Sequence, residues 1–282
     1  MKTIPSTVYD KDYYTKVCLG SSEFNQTHGK NLAGEVKELL SIIDVRKNDT
    51  ILDIGCGRGD ITINLGKRAK MAIGIDYSKD GITLANRAKK TFPDTIKKKI
   101  EFYEMNATKL DFDDNFFDKV IALDVIEHLN KQEMKKMMQE VKRVLKPNGI
   151  FFAHTGTNKI LHNYTYPMYI RPINNIIRAF DRIFFNKIYD ALPKDPRTDA
   201  EHIQHINEPT FFYLKSLFNE YGFAGTIKTK VGYIKNKKST KHALYNLISA
   251  LYPFSKYFPL NILFGWAFIC TMKNIKSLSK SS

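Results

Sequence analysis

Cysteine is scarce: Cys18, Cys56 and Cys270 are the only three in 282 residues. They are odd in number, widely spaced and free of any C-x-x-C, which argues against a disulfide framework or a zinc knuckle and fits a reducing compartment. The amino terminus, MKTIPSTVYDKDYY, has no apolar core of signal-peptide length, so the expected location is cytoplasmic. The stretch PLNILFGWAFICTM is too short to span a bilayer and carries Asn261, so it reads as a buried strand. No internal repeat occurs. Acid is short relative to base, with 29 Asp and Glu against 44 Lys and Arg and a formal net charge of +15. That excess favours phosphates, nucleic acid or contact with the periphery of a membrane, although a lysine-rich solvated surface accounts for it equally well. The densest basic runs are KKTFPDTIKKK and VGYIKNKKSTKH.

The length suits one α/β domain with appendages. Within it, ILDIGCGRGD, Ile51 to Asp60, is a short apolar strand that empties into three glycines spaced two apart. Gly55, Gly57 and Gly59 make a loop that a nucleotide-like ligand can approach at backbone distance. A dinucleotide fingerprint, G-x-G-x-x-G, would put its third glycine at position 60, which is Asp60 here. Asp53 at the head of the loop would repel a pyrophosphate and suits a cationic ligand. S-adenosylmethionine has a sulfonium, an ammonium and no phosphate.

The pattern D-x-G-x-G-x-G, carried by Asp53, Gly55, Gly57 and Gly59, resembles that of the class I S-adenosylmethionine-dependent methyltransferases, of the ubiquinone-biosynthesis O-methyltransferase kind. The strand MAIGID ends in Asp76, nineteen residues after Gly57, where the family keeps the carboxylate that binds both ribose hydroxyls. IEFYEM leads to Asn106 and Ala107, where the family usually has Asp-Ala against the adenine edge; the amide oxygen of Asn106 can still accept from the adenine amino group if neighbours set its orientation. FDKVIALDVIEHL and VKRVLKPNGIFFAHT complete the likeness, which spans roughly residues 35 to 155. It implies a cofactor site of Asp53, Gly55, Cys56, Gly57, Gly59, Asp76, Tyr77, Asn106, Ala107 and Asp124.

The coarse pattern of elements predicts a Rossmann-like, doubly wound α/β fold with a seven-stranded, mostly parallel sheet, an antiparallel last strand and helical lid insertions. Helices are expected at 32–43, 60–69, 79–91, 131–144 and 208–221, and strands at 50–54, 71–75, 99–105, 119–123, 150–154 and 263–272. Lys146, Pro147, Asn148 and Gly149 read as a stop after the fourth of those helices. The expected division is an arm at 1–30 folded over the cofactor, a core at 31–155, a substrate lid at 156–207, and a completion of the sheet at 208–282 with a second insertion near 230–259. In the lid, Ile176, Ile177, Phe180, Ile183, Phe184 and Ile188 have helical spacing with Arg178, Arg182 and Lys187 interleaved. The expectation is a helix packing its apolar face on its own domain; the alternative is a basic amphipathic helix resting on an anionic membrane or taking a lipid-like substrate.

Catalysis turns on DVIEHL. If the chain is helical there, Asp124, Glu127 and His128 share one face and could hold a divalent cation, Mg²⁺, Mn²⁺ or Zn²⁺. The resemblance implies a later histidine as fourth ligand, which His205 in DAEHIQHINEP supplies better than His202. The alternative leaves Glu127 at a helix N-terminus and His128 packing locally. Without a metal, His154 and His205 are the candidate bases for an acceptor hydroxyl, so catalysis is assigned to His154, His205 and Glu127. The expected activity is O-methylation of a hydroxyl on a small molecule, glycan or lipid-linked intermediate. The alternatives are methylation of a terminal RNA ribose 2′-hydroxyl and a non-catalytic S-adenosylmethionine-binding partner protein.

Overall fold

The computed structural model describes residues 3–188, 190–230, 254 and 257–275. Strand β1 (Thr50–Ile54) is buried at every position, as a strand covered on both faces must be. It pairs in parallel with β2 (Met71–Asp76) and β4 (Phe117–Leu123). β2 pairs in parallel with β3 (Ile100–Glu104), and β4 with β5 (Leu145–Thr155). β7 (Ala267–Asn274) runs antiparallel between β5 and β6 (Phe223–Lys230), giving the order β3-β2-β1-β4-β5-β7-β6. This is the seven-stranded, doubly wound sheet with an antiparallel last strand that the sequence predicts. The order reverses between β1 and β4, so a crevice opens outside their carboxyl ends. Register places Ile54 beside Ile75 and Ala122, and Leu123 beside His154. The residues that follow or end these strands, Gly55, Asp76, Asp124 and His154, therefore emerge along one edge.

Local chemistry explains the helices that support this edge. Helix Lys131–Val144 opens with a capping box: the Asn130 side chain accepts from the Gln132 and Glu133 amides, and the Glu133 carboxylate accepts from the Asn130 amide. Met134, Met137, Met138, Val141 and Val144 then form a fully buried stripe at helical spacing. Helix Lys79–Lys90 starts at Ser78, whose hydroxyl accepts from the Gly81 amide.

Four expectations need correction. First, Lys146 to Gly149 do not precede β5 but lie inside it: the strand starts at Leu145, and the register shift between Phe117 and Lys119 absorbs the extra residues, with Asn148 at a φ of 64°. Second, the expected strand at 263–272 begins instead as a short helix, Leu260–Phe264. The Asn158 amide donates to the Ile262 and Gly265 carbonyls at that helix's end, and β7 starts only at Ala267. Third, β6 had no assigned place in the sequence, because it is an edge strand with mostly exposed or half-buried side chains. Its Lys228 and Lys230 suit an edge that must not pair further.

The fourth correction concerns the lid. Helix Arg171–Phe185 buries Ile177 and Asp181, while Ile176, Ile183 and Phe184 are exposed, as is Ile188 beyond its end. The apolar face is thus packed only in part, through the buried Ile177 and the half-buried Phe180. The helix continues without a break from the π-helical segment Leu161–Ile170. Most of the second insertion, including VGYIKNKKSTKH, lies outside the described residues. Among the described residues no helix is long and apolar enough to cross a membrane.

Candidate active site

A cavity of about 400 Å³ occupies the crevice at the reversal point, a size suited to a nucleoside-bearing small molecule. Its floor is the glycine loop. The Gly55 and Cys56 amides both donate to the Ile75 carbonyl, at 2.8 and 2.9 Å, which ties the loop to the end of β2. Gly57 has a φ of 51°, and a Cβ there would stand 2.8 Å from the Tyr14 ring. Gly59, at 83°, faces Phe102 and Ala85 as closely. Both positions therefore require glycine for backbone and for space.

Asp76 closes one side of the cavity. Its carboxylate accepts from the Gly57 amide at 2.8 Å, the Ser78 amide at 2.8 Å and the Tyr14 hydroxyl at 3.3 Å. Burial raises its pKa above the ordinary carboxylate value, against the opposing pull of those backbone donors. Tyr77, Cys56, Asn106, Ala107 and Asp124 also line the cavity. The Asn106 side-chain oxygen is engaged by the Thr108 amide at 2.9 Å and hydroxyl at 2.8 Å. Neighbours do set the amide orientation, and they turn its oxygen to Thr108.

Asp53 and Gly59 do not line the cavity. The Asp53 carboxylate lies under the loop, where it accepts from the Thr62 hydroxyl at 2.6 Å, and burial lifts its pKa to about 7. It braces the helix Asp60–Gly66 against β1 instead of facing a cation directly. Sequence reasoning also passed over Arg58, a buried guanidinium that donates to the Tyr14 and Leu19 carbonyls, each at 2.6 Å, and stands over the Phe24 ring. It fastens the segment containing Tyr9, Tyr13 and Tyr14, all of which line the cavity. The signal available was the run YDKDYY, whose aromatic density is high for a solvated arm.

The DVIEHL segment is not one continuous helix. Asp124 has a φ of 54°, and only a single 3₁₀ turn, Ile126–His128, follows. Asp124 therefore does not share one helical face with Glu127 and His128, and it pairs with His154, Oδ1 to Nδ1 at 2.7 Å. Burial pulls the His154 pKa down, but the hydrogen bond and charge of Asp124 outweigh it and hold the imidazole above its ordinary value. Asp124 lines the cavity; His154, one hydrogen bond behind it, does not. The Nε2 of His154 is buried without a hydrogen-bond partner.

Glu127, His128 and His205 do come together, with one ligand atom from each within 4.8 Å of the others. Glu127 accepts from the Gly156 amide through Oε1 at 3.3 Å, while its Oε2 is buried and unpartnered. Burial, then the charge of Asp124, raises its pKa to about 8. His128 has its Nδ1 2.9 Å from the Tyr9 hydroxyl and 3.2 Å from the Gln204 carbonyl oxygen, and burial lowers its pKa to about 4. Burial also lowers that of His205, whose Nδ1 is buried and unpartnered. Of the four residues expected at a metal, Asp124 stands apart from the other three.

The sheet order, the glycine loop and the carboxylate at the end of β2 define a Rossmann-like methyltransferase fold. Residues 52–153 match the family described as "Methyltransferase domain". That match, with the ubiquinone-biosynthesis relatives, supports a class I S-adenosylmethionine-dependent methyltransferase domain over this part of the chain. It is 36% identical over 165 residues to the mitochondrial ubiquinone biosynthesis O-methyltransferase of Rattus norvegicus, covering 56% of this chain and 43% of that one. It is 26% identical over 204 residues to the demethylmenaquinone methyltransferase of Lactobacillus johnsonii, covering 69% and 76%. The chain spans less than half the length of the ubiquinone-biosynthesis relatives that it matches. The same fold occurs in the structure of a complex between the Haloferax volcanii Trm112 methyltransferase activator and a methyltransferase, with a TM-score of 0.58, 14% identity, and 96% and 98% of the two chains covered.

Proposed function

We propose that the protein transfers the methyl group of S-adenosylmethionine to a hydroxyl oxygen of a small, lipid-linked acceptor. The observation that carries the cofactor assignment is the cradle of Asp76, a carboxylate held by the Gly57 and Ser78 amides with a hydroxyl donor already on Oδ1. A ribose hydroxyl would make the same kind of bond. The names of the relatives, which concern ubiquinone and demethylmenaquinone, support a ring-bearing acceptor. Tyr9, Tyr13 and Tyr14, which line the cavity, offer aromatic surface to such a ring.

In this reading the acceptor hydroxyl lies against Asp124. Its oxygen attacks the methyl carbon, the carbon–sulfur bond breaks with its electron pair left on sulfur, and the hydroxyl proton passes to the Asp124 carboxylate. His154 is a positioning residue, since it orients Asp124 and tunes its charge without lining the cavity. Alignment of oxygen, carbon and sulfur supplies much of the rate.

Glu127, His128 and His205 favour a second element, a divalent cation beside the acceptor. The donor set of one carboxylate and two imidazoles suits zinc or manganese. The buried, unpartnered Glu127 Oε2 and His205 Nδ1 fit a ligand that is to be bound there. Such an ion would lower the pKa of a nearby acceptor hydroxyl.

Purified protein incubated with S-adenosylmethionine and ubiquinol- or catechol-type acceptors should accumulate S-adenosylhomocysteine together with an O-methylated product identified by mass spectrometry. Chelation should reduce turnover and leave cofactor binding intact. Absence of product across acceptors with adjacent ring hydroxyls would remove the proposed chemistry. Full turnover by protein shown by elemental analysis to be metal-free would remove the cation alone.

A further inference from the structure

Asp76 is a buried carboxylate, 6% exposed, so the donors that satisfy it must come from the protein or from a ligand. Each of its oxygens can accept twice. Among the described residues, Oδ2 accepts from the Gly57 amide at 2.8 Å, while Oδ1 accepts from the Ser78 amide at 2.8 Å and the Tyr14 hydroxyl at 3.3 Å. Oδ1 is therefore full, and Oδ2 has one place left. A ribose presents two neighbouring hydroxyls and needs one place more. The two amides belong to the glycine loop and to the start of helix Lys79–Lys90, where they cannot turn aside, whereas the Tyr14 hydroxyl is a side-chain group at the end of the longest bond. It is the donor that can yield.

The fold keeps Tyr14 beside Asp76 by contacts that do not use its hydroxyl. Its ring lies between two glycines, where a Cβ would stand 2.8 Å from it at Gly57 and 3.1 Å at Gly81. Arg58 donates to the Tyr14 and Leu19 carbonyls, each at 2.6 Å, and the Lys11 amide donates to the Asp80 carboxylate at 3.0 Å. The backbone of the arm is thus fastened independently. Burial, then the charge of Asp76, raises the Tyr14 pKa, so the phenol stays neutral and remains a donor. A second acceptor is within its reach. The Ser78 hydroxyl donates to the Tyr9 carbonyl and accepts from the Gly81 amide, which leaves one lone pair for the phenol, and a hydrogen bond to Ser78 already pulls against the rise in the Tyr14 pKa.

We propose that the Tyr14 hydroxyl is an internal stand-in for one ribose hydroxyl and exchanges with it on Asp76. The inference rests on the reading of this cavity as the S-adenosylmethionine site. As the cofactor enters, the phenol passes from Asp76 to Ser78; as the product leaves, it returns. The buried carboxylate keeps its donors throughout. Because the ribose must displace a bond that the protein has already made, the exchange lowers affinity and speeds the release of S-adenosylhomocysteine.

The test is calorimetric titration of S-adenosylhomocysteine and its 2′-deoxy and 3′-deoxy analogues into the parent and into Tyr14→Phe, which keeps the ring between the two glycines. Removing the competing donor should tighten S-adenosylhomocysteine binding by about threefold to tenfold, the range of one net hydrogen bond, with slower dissociation in stopped flow. One of the deoxy analogues lacks the hydroxyl that competes. It leaves the phenol on Asp76, so parent and variant should bind that analogue equally. Equal or weaker binding of S-adenosylhomocysteine by folded Tyr14→Phe, or the same gain with all three ligands, overturns the proposal and leaves the cofactor assignment standing. No binding of S-adenosylhomocysteine by the parent overturns both.

Discussion

Replacement of Gly57 by valine is expected to abolish S-adenosylmethionine binding, with a loss of at least about 100-fold in affinity. The left-handed backbone at this position costs an ordinary residue roughly 1–2 kcal/mol. A Cβ would stand 2.8 Å from the Tyr14 ring, and the branches of valine would extend further into the space that the ligand and ring share. Relief requires the loop or the tyrosine to move, and loop movement breaks the 2.8 Å bond from the Gly57 amide to Asp76. Steric exclusion and loss of the oriented carboxylate therefore act together. Gly34, at the start of helix Gly34–Ile42, has open space around its absent Cβ, so Gly34→Ala should bind as the parent does. Calorimetry on both variants, with circular dichroism to establish folding, separates a local effect from a global one. Tight binding by folded Gly57→Val would mean that the ligand does not rest on this loop.

Asp124→Asn is expected to lower kcat by about 10² or more, the scale of a positioned acid or base. The informative companion is His154→Gln, because it changes the pH dependence as well as the rate. In the folded protein the His154 pKa lies above its ordinary value of 6.5, so the imidazolium persists to higher pH than that of a free imidazole, and while present its charge weakens Asp124 as a base. As pH rises through the folded pKa the imidazole becomes neutral, Asp124 becomes the stronger base, and kcat should rise. The linked stability runs the other way: a raised histidine pKa stabilises the fold fully below the unfolded value and loses that contribution as pH passes the folded value. Gln at 154 keeps a neutral donor beside Asp124 and cannot titrate, so the rising limb should vanish. An unchanged pH profile in His154→Gln, or wild-type kcat in Asp124→Asn, would remove the pair from the mechanism.

The parts of the protein legible from sequence were those that local chemistry dictates. The glycine spacing, the carboxylate at Asp76 and the Asn130 start of helix Lys131–Val144 each have one dominant physical cause. Where causes compete, the sequence alone misled. The apolar run LNILF suits helix and strand alike, and the decision fell to Asn158, more than a hundred residues away, whose amide binds the Ile262 and Gly265 carbonyls. β6 has too few buried side chains to show the alternation of a strand. Asp124, Glu127 and His128 looked like one helical face, but the left-handed backbone at Asp124 splits them between two partners, His154 and His205. The lid helix has the period of a packed amphipathic helix, and period does not reveal which side faces water.

The most direct test is calorimetric titration of S-adenosylmethionine into the parent protein and Asp76→Ala side by side. Saturable binding to the parent is expected, weakened in the variant by at least about 1.5 kcal/mol, the scale of a charge-assisted hydrogen bond. Equal affinity of parent and folded Asp76→Ala, or no binding to the parent at all, would contradict the assignment of this cavity to the cofactor.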